Sequence, residues 1–258
     1  MNKEYRSIQL TVENEIAVLS FNRPAQLNAM NREMMDEIID AIAFANQSQS
    51  IRVGIIRGNG RAFMAGADIK EYGIQTPDEF KSFQVRGKLL YDSIEQSSKP
   101  WIAAVNGFAL GGGFEIALAC DMILASELAV MGLPEVFLSL IPGGGGTQRL
   151  VQKIGINRVK EVLFTGNQFG ANTFYDWGVI NRVFESAIFE NEVLQFAEKL
   201  ARRPAKSLAQ LKRLANMSLS ADPFDQRIAD EGQTVYQLFF DAEAQMAIQN
   251  FIVKNKYS

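Results

Sequence analysis

Apolar and polar positions alternate at Ile8, Leu10 and Val12, pause at Glu13-Asn14-Glu15, and resume as an apolar run from Ile16 to Phe21. A period of two broken by a short polar turn predicts an antiparallel hairpin. Asn22-Arg-Pro-Ala-Gln26 ends it. The spacing then changes: Met34, Met35, Ile38, Ile39 and Ile42 recur at helical intervals, predicting an amphipathic helix over 31–46. Ile51 to Arg57 reads as a buried strand closed by Gly58-Asn-Gly60, residues 61–83 as loop, and 84–97 as a helix. Pro100 precedes a strand at Trp101–Val105; after the glycines at 111–113, residues 114–120 suit a short buried helix. Met122–Ala125 and Ala129–Met131 suit strands. Strand-strand-helix order thus recurs loosely, without a strict sequence period. Past Phe184 the strand signals stop, and 188–203, 206–218 and 224–254 predict helices with breaks at Pro204 and Pro223. The organisation is an α/β body followed by a helical C-terminal third.

Composition narrows the chemistry. At 258 residues, with 47% hydrophobic and 21% charged positions, the chain makes one large domain or two small ones and has enough apolar mass for a sizeable core. Lys and Arg number 26 against 29 Asp and Glu, a net charge of −3 with no basic tract, so nucleic acid is not an expected partner. The absence of histidine excludes Ser-His-Asp and Cys-His catalysis and His-ligated zinc. The single cysteine, Cys120, sits in an apolar stretch and reads as an inert buried thiol. No run approaches the ~18 apolar residues of a membrane helix, and the N-terminal residues lack the apolar segment of a signal peptide. A cytoplasmic protein is the expectation. Its chemistry must use carboxylates, amines, hydroxyls or backbone groups.

Two glycine clusters stand out, Gly107-Phe-Ala-Leu-Gly-Gly-Gly113 and Gly143-Gly-Gly-Gly146, and neither fits a phosphate-loop or dinucleotide fingerprint. GxSxG is absent as well. The first cluster lies between a strand and a buried helix. Glycines there allow either tight helix–strand packing or close approach of a ligand to helix N-terminal N–H groups, which favour a developing negative charge. Ala65-Gly-Ala-Asp68 is a second small-residue loop able to supply an N–H, with Asp68 reading as the cap of a helix that follows. Glu115 and Glu135 are lone charges among apolar neighbours. Buried glutamates are costly unless paired, hydrogen-bonded or functional. Either they pair with an arginine such as Arg149 or cap a helix, or they form an acid/base couple.

Together, Ala65-Gly-Ala-Asp-Ile-Lys70, Lys99 to Glu115, Gly132-Leu-Pro-Glu135 and Ile141 to Leu150 resemble the crotonase (enoyl-CoA hydratase/isomerase) superfamily, with Asn22-Arg-Pro24 and Leu27-Asn-Ala29 resembling its N-terminal signature. The resemblance covers nearly the whole chain in family order. It implies a crotonase-like α/β spiral of ββα repeats over 1–200 carrying the active site. A helical C-terminal region over 201–258 would build homotrimers, often paired into hexamers. It also implies an acyl-CoA thioester substrate, with coenzyme A entering as part of that substrate and no separate cofactor or metal. By resemblance, the N–H groups of Ala65 and Gly112 polarise the thioester carbonyl. Glu135 is the principal acid/base, and Glu115 positions a water and shares proton transfer. Arg23, Leu27, Gly66, Ala67, Asp68, Ile69, Gly111, Pro134, Gly143, Phe251 and Lys254 would contact substrate, the last two from a neighbouring subunit's tail. Ala25 and Asn255 stand where the family often has Lys and Arg. The implied activity is hydration of a trans-2-enoyl-CoA to a 3-hydroxyacyl-CoA. The alternatives are Δ3-Δ2-enoyl-CoA isomerisation or another crotonase reaction, and a non-catalytic acyl-CoA- or RNA-binding scaffold.

Overall fold

The computed structural model describes residues 4–255, with side chains to residue 252. Strands β1 (Ile8–Glu13) and β2 (Ile16–Phe21) form the expected hairpin, pairing Ile8 with Phe21 and Glu13 with Ile16. Helix α1 (Arg32–Gln47) starts where the Asn31 side chain accepts the Met34 N–H at 3.0 Å, and it buries the predicted face of Met34, Met35, Ile38 and Ile42.

Three ββα turns follow. The first is β3 (Val53–Gly58), β4 (Ala62–Met64), the single-turn α2 (Ile69–Tyr72) and α3 (Pro77–Glu95). The second is β5 (Trp101–Val105), β6 (Phe108–Leu110) and α4 (Gly112–Ala119). The third is β7 (Met122–Ser126), β8 (Val130–Gly132), a 3-10 turn at Pro134–Leu138 and α5 (Gly146–Thr165). Short β9 (Phe169–Gly170), α6 (Ala171–Asp176) and β10 (Arg182–Phe184) complete the body. The first strand of each turn joins a six-stranded sheet ordered β1-β2-β3-β5-β7-β10, and the second joins a four-stranded sheet ordered β4-β6-β8-β9. Neighbours β2 to β3, β3 to β5, and β5 to β7 are parallel, as are β4 to β6 and β6 to β8. The loose strand-strand-helix recurrence in the sequence is therefore a true ββα spiral.

Parallel strands buried on both faces read as continuous apolar runs, and all five residues of β5 are buried. One core cluster gathers Phe21, Phe63, Trp101 and Phe114 with α1 and α3 residues; a second packs α7 (Phe189–Ala201) on Ile16, Val53 and Ile102 of the large sheet. Cys120 is buried within the first cluster. Burial pushes its thiol well above the ordinary range, so it stays protonated and inert.

Several elements differ from the sequence reading, among them β6 and α5, for which it predicted no strand or helix. Residues 61–83 are not loop throughout: β4, α2 and about the first two turns of α3 lie there. The α3 start is fixed by a capping box, with Thr76 Oγ1 accepting the Glu79 N–H and Glu79 accepting the Thr76 N–H at 2.8 Å, and Pro77 occupies the first turn. The expected single helix over 224–254 is two, α9 (Phe224–Phe239) and α10 (Ala242–Asn255), after α8 (Ala205–Met217). At the break, Asp241 accepts the Glu243 N–H at 3.1 Å, a cap that restarts the helix.

Parallel order in the small sheet puts the C-terminal ends of β4, β6 and β8 side by side. Each runs straight into a tight turn: Ala65–Asp68, Gly111–Gly112 and Leu133–Glu135. Ends of adjacent parallel strands are where open α/β sheets place ligands. The site is built there.

Candidate active site

A cavity of about 230 Å³ opens at these three turns, lined among others by Ala65, Gly66, Ala67, Ile69, Gly111, Gly112, Glu115, Pro134, Glu135 and Gly143. The two small-residue loops and both glutamates picked from the sequence thus meet in one place.

Gly111 adopts φ +52° and ψ −124°, and a Cβ there would lie 2.9 Å from Glu135 Oε1. Gly113 is pinned differently: a Cβ would sit 2.1 Å from the Met64 carbonyl oxygen. Both readings of the cluster therefore hold, Gly113 for packing β4 against α4 and Gly111 for approach to the site. Gly112 is the first residue of α4, where an N–H has no intrahelical acceptor and the helix dipole is positive.

The second loop requires a correction. The Ala65 N–H donates to the Leu27 carbonyl at 3.0 Å and is not free for a ligand. Met30 N–H to Gly66 O and Asp68 N–H to Met30 O, both at 2.8 Å, flank Ala67 as a parallel bridge. In a parallel bridge the residue between these two bonds turns its own N–H the other way, and Ala67 lines the cavity. The small-residue loop does present an N–H, two residues later than the resemblance implied.

Arg23 and Asp68 do not line this cavity. Arg23 Nη2 pairs with Asp68 Oδ2 at 2.8 Å and its other nitrogen donates to the Ala29 carbonyl, so together they clamp the Ala65–Asp68 loop to the Leu27–Ala29 turn. The pairing with Arg23 holds the Asp68 carboxyl below its usual range. Asp68 caps α2 by accepting the Lys70 N–H at 3.2 Å, as its sequence context indicated. Leu27, in the left-handed region at φ 52°, gives its carbonyl to Ala65 and stands outside the cavity. Phe251 is 69% exposed on α10, and the Lys254 side chain lies outside the described residues.

Glu115 is 3% exposed, yet its Oε1 accepts the N–H groups of Gly144 and Gly146, each at 2.8 Å. It caps the start of α5 and faces the cavity at once. Arg149 is not its ion-pair partner: that guanidinium forks onto Glu95 at 2.9 and 2.8 Å. Burial raises the Glu115 carboxyl above its ordinary value, while the two amides, the Arg149 charge and the Tyr91 hydroxyl pull the other way.

Glu135 has no such cradle. Its Oε2 is buried without a hydrogen-bond partner, and burial, with the Glu115 charge added, pushes its carboxyl up to about 7. Two carboxyl groups, both raised by burial, face one cavity with different partners: two amide donors on Glu115 and none on the buried oxygen of Glu135. An acid/base couple needs two such groups within reach of one substrate. Helix α3, from which the sequence analysis named no site residue, supplies one wall: Phe83, Gln84, Gly87 and Tyr91 line the cavity, three of them at helical i, i+4, i+8 spacing. That periodicity was the available signal. Among the described residues no group of three or more His, Cys, Asp or Glu is arranged to hold a metal, and no helix is long and apolar enough to cross a membrane.

The family model for enoyl-CoA hydratase/isomerase matches residues 11–258, and the chain belongs to that family, in the crotonase superfamily. More particularly, it is 34% identical over 254 residues to the short-chain-enoyl-CoA hydratase of Clostridium acetobutylicum, covering 98% of this chain and 97% of that one. It is also 34% identical over 253 residues to the crotonyl-CoA hydratase of Syntrophomonas wolfei, with the same coverage. Among solved structures, an enoyl-CoA hydratase subunit I from Geobacillus kaustophilus superposes with a TM-score of 0.93 at 36% identity, covering 98% of this chain and 97% of that one.

Proposed function

We propose that this protein adds water across the double bond of a trans-2-enoyl-CoA to give a 3-hydroxyacyl-CoA. The observation that carries the reading is the convergence of Glu115, Glu135 and the N–H groups of Ala67 and Gly112 on one cavity. The thioester oxygen would accept from the Ala67 and Gly112 N–H groups, which draws electron density from the double bond and stabilises the enolate as it forms. Water held by Glu115 attacks the β-carbon: its oxygen forms the new C–O bond and its proton passes to the Glu115 carboxylate. The π pair moves onto the thioester, and the α-carbon takes the proton that Glu135 holds. One proton is gained by Glu115 and one lost by Glu135, so the site resets by proton exchange between turnovers. A carboxyl pushed up to about 7 suits Glu135 as the acid, and a carboxylate cradled by two amides suits Glu115 as the base.

Gly66, Ile69, Gly111, Pro134 and Gly143 would border the acyl end of the substrate, since all line the cavity. Arg23 and Asp68 serve by holding the Ala67 loop. The chemistry as written uses neither a metal nor a redox group. The exposed Phe224, Tyr236, Phe240 and Phe251 of the helical third support self-association through that region. Mass spectrometry of the product from crotonyl-CoA separates the reactions. Hydration adds the mass of one water, whereas an unchanged mass with a moved double bond would overturn the reading in favour of isomerisation.

A further inference from the structure

Residues 143–146 are four glycines in a row, so no side chain of the run itself restrains its backbone. Gly145 stands in the left-handed region at φ +93°. Two amides of the run nevertheless converge on one atom: the Gly144 and Gly146 N–H groups both donate to Glu115 Oε1 at 2.8 Å. What holds such a permissive segment in that arrangement must come from outside it.

Neighbouring side chains close on it in turn. A Cβ on Gly144 would run into the Tyr91 ring, and one on Gly145 into the Arg149 guanidinium. Arg149 also bonds to the run. Its Nη1 donates to the Gly144 carbonyl at 2.5 Å, while Nε and Nη2 fork onto Glu95 at 2.9 and 2.8 Å. The Gly144 carbonyl belongs to the planar peptide that joins Gly144 to Gly145. That plane is the middle one of three, and the two N–H groups given to Glu115 belong to the planes before and after it. Tying the middle plane to Glu95 at the end of α3 blocks the peptide flips that glycine allows and that would turn a donor away from Glu115.

Helix propensity does not call for arginine here. Arg149 sits in the first turn of α5, where the helix dipole disfavours a cation, and that turn carries no acidic residue. The anion at this helix start is the Glu115 carboxylate, brought in from α4.

We propose that Arg149, braced by Glu95, is a positioning residue: it fixes the 143–146 run so that two amides hold the Glu115 carboxylate ionised and aimed at water. The proposal rests on the hydratase reading above for its effect on turnover, though not for its effect on Glu115 itself. The other titratable groups near Glu115 are Glu135 from the 3-10 turn and Tyr91 from α3.

Arg149→Lys keeps the charge and loses the planar fork that reaches Glu95 and Gly144 together. Carbon-13 NMR titration of the glutamate carboxyls, with the Glu115 signal assigned by its loss in Glu115→Gln, reads the consequence. Glu115 should titrate about one unit higher than in wild type, because a carboxylate that loses donors holds its proton to higher pH. On crotonyl-CoA kcat falls about 10-fold, the scale of a hydrogen bond to a charged group, with KM within about threefold. Arg149→Ala loses more, and millimolar guanidinium, able to enter the groove that Arg149 lines, restores kcat where ammonium at equal ionic strength does not. A wild type without turnover would sink the hydratase reading alone and leave the titration to decide on Arg149. A Glu115 titration unchanged in folded Arg149→Lys, or an Arg149→Ala loss that guanidinium leaves untouched, would overturn the role assigned to Arg149.

Discussion

Glu115 and Glu135 show how one residue type acquires two characters twenty positions apart. Glu115 is the more deeply buried, yet its Oε1 receives two amide N–H groups at 2.8 Å; Glu135 keeps a buried oxygen without a partner. The second arrangement costs stability wherever Glu135 must ionise. Its carboxyl sits at about 7 in the folded protein against an ordinary 4.5, so between those values the native state holds a proton the unfolded chain has released. Stability therefore falls as pH rises through that window and stays lowered above it. Glu135→Gln, which cannot ionise, should raise the Tm relative to wild type at pH 8 and lose that advantage at pH 4. An equal Tm difference at both values would contradict the burial account. Both glutamates were legible in the sequence as lone charges in apolar runs. The choice between Ala65 and Ala67 was not, because which N–H a loop spends internally depends on Leu27 and Met30, far back in the chain.

Among elements, legibility followed the clarity of the apolar pattern: the three-residue β8 was read, while the twenty-residue α5, interrupted by non-helical Gly155, was not. Helix α1 and the strands β3 and β5 follow their apolar spacing, whereas β4 and β6 have three residues each and no room for a period. The start of α3 was written plainly in Thr76-Pro-Asp-Glu79, a local capping signal that a reading by hydrophobic periodicity passes over. Helix α8 has no buried residue, and one side chain does much to dock it. Lys212, with its side chain 6% exposed, reaches Asp121 at 2.9 Å and the carbonyls of Ile94 and Lys99 at 2.9 and 3.2 Å. Asp121 also accepts the Trp101 N–H at 2.7 Å, tying α8 to the start of β5. Lys212→Ala leaves that carboxylate without its cation and should destabilise the fold by about 3 kcal/mol, read from the urea midpoint. A change below about 0.5 kcal/mol, the size of an ordinary surface substitution, would show that α8 is held elsewhere.

Over the whole molecule, repetition makes the site: each ββα turn sends its second strand to the small sheet, and three successive turns deliver a loop N–H, a helix N–H with Glu115, and Glu135 to one rim. The helical third is built on other terms. Beyond α7 the only buried side chain among the described residues is Thr234, while large apolar residues such as Phe224, Tyr236 and Phe251 are exposed. Such a surface fits contact with other copies of the chain. Light scattering should give three chains of 28.7 kDa, about 86 kDa, or a multiple of that; a species at 28.7 kDa at micromolar concentration would refute self-association. The chemistry assigned to the rim is tested most directly by the ultraviolet absorbance of crotonyl-CoA, which is lost when its conjugated double bond is hydrated. Wild type should remove the signal, with rates at least ~100-fold lower in both Glu115→Gln and Glu135→Gln, the scale of lost acid/base catalysis. Folded wild type that leaves the absorbance unchanged on short and long enoyl chains, or a Glu115→Gln variant as fast as wild type, would contradict two-glutamate hydration.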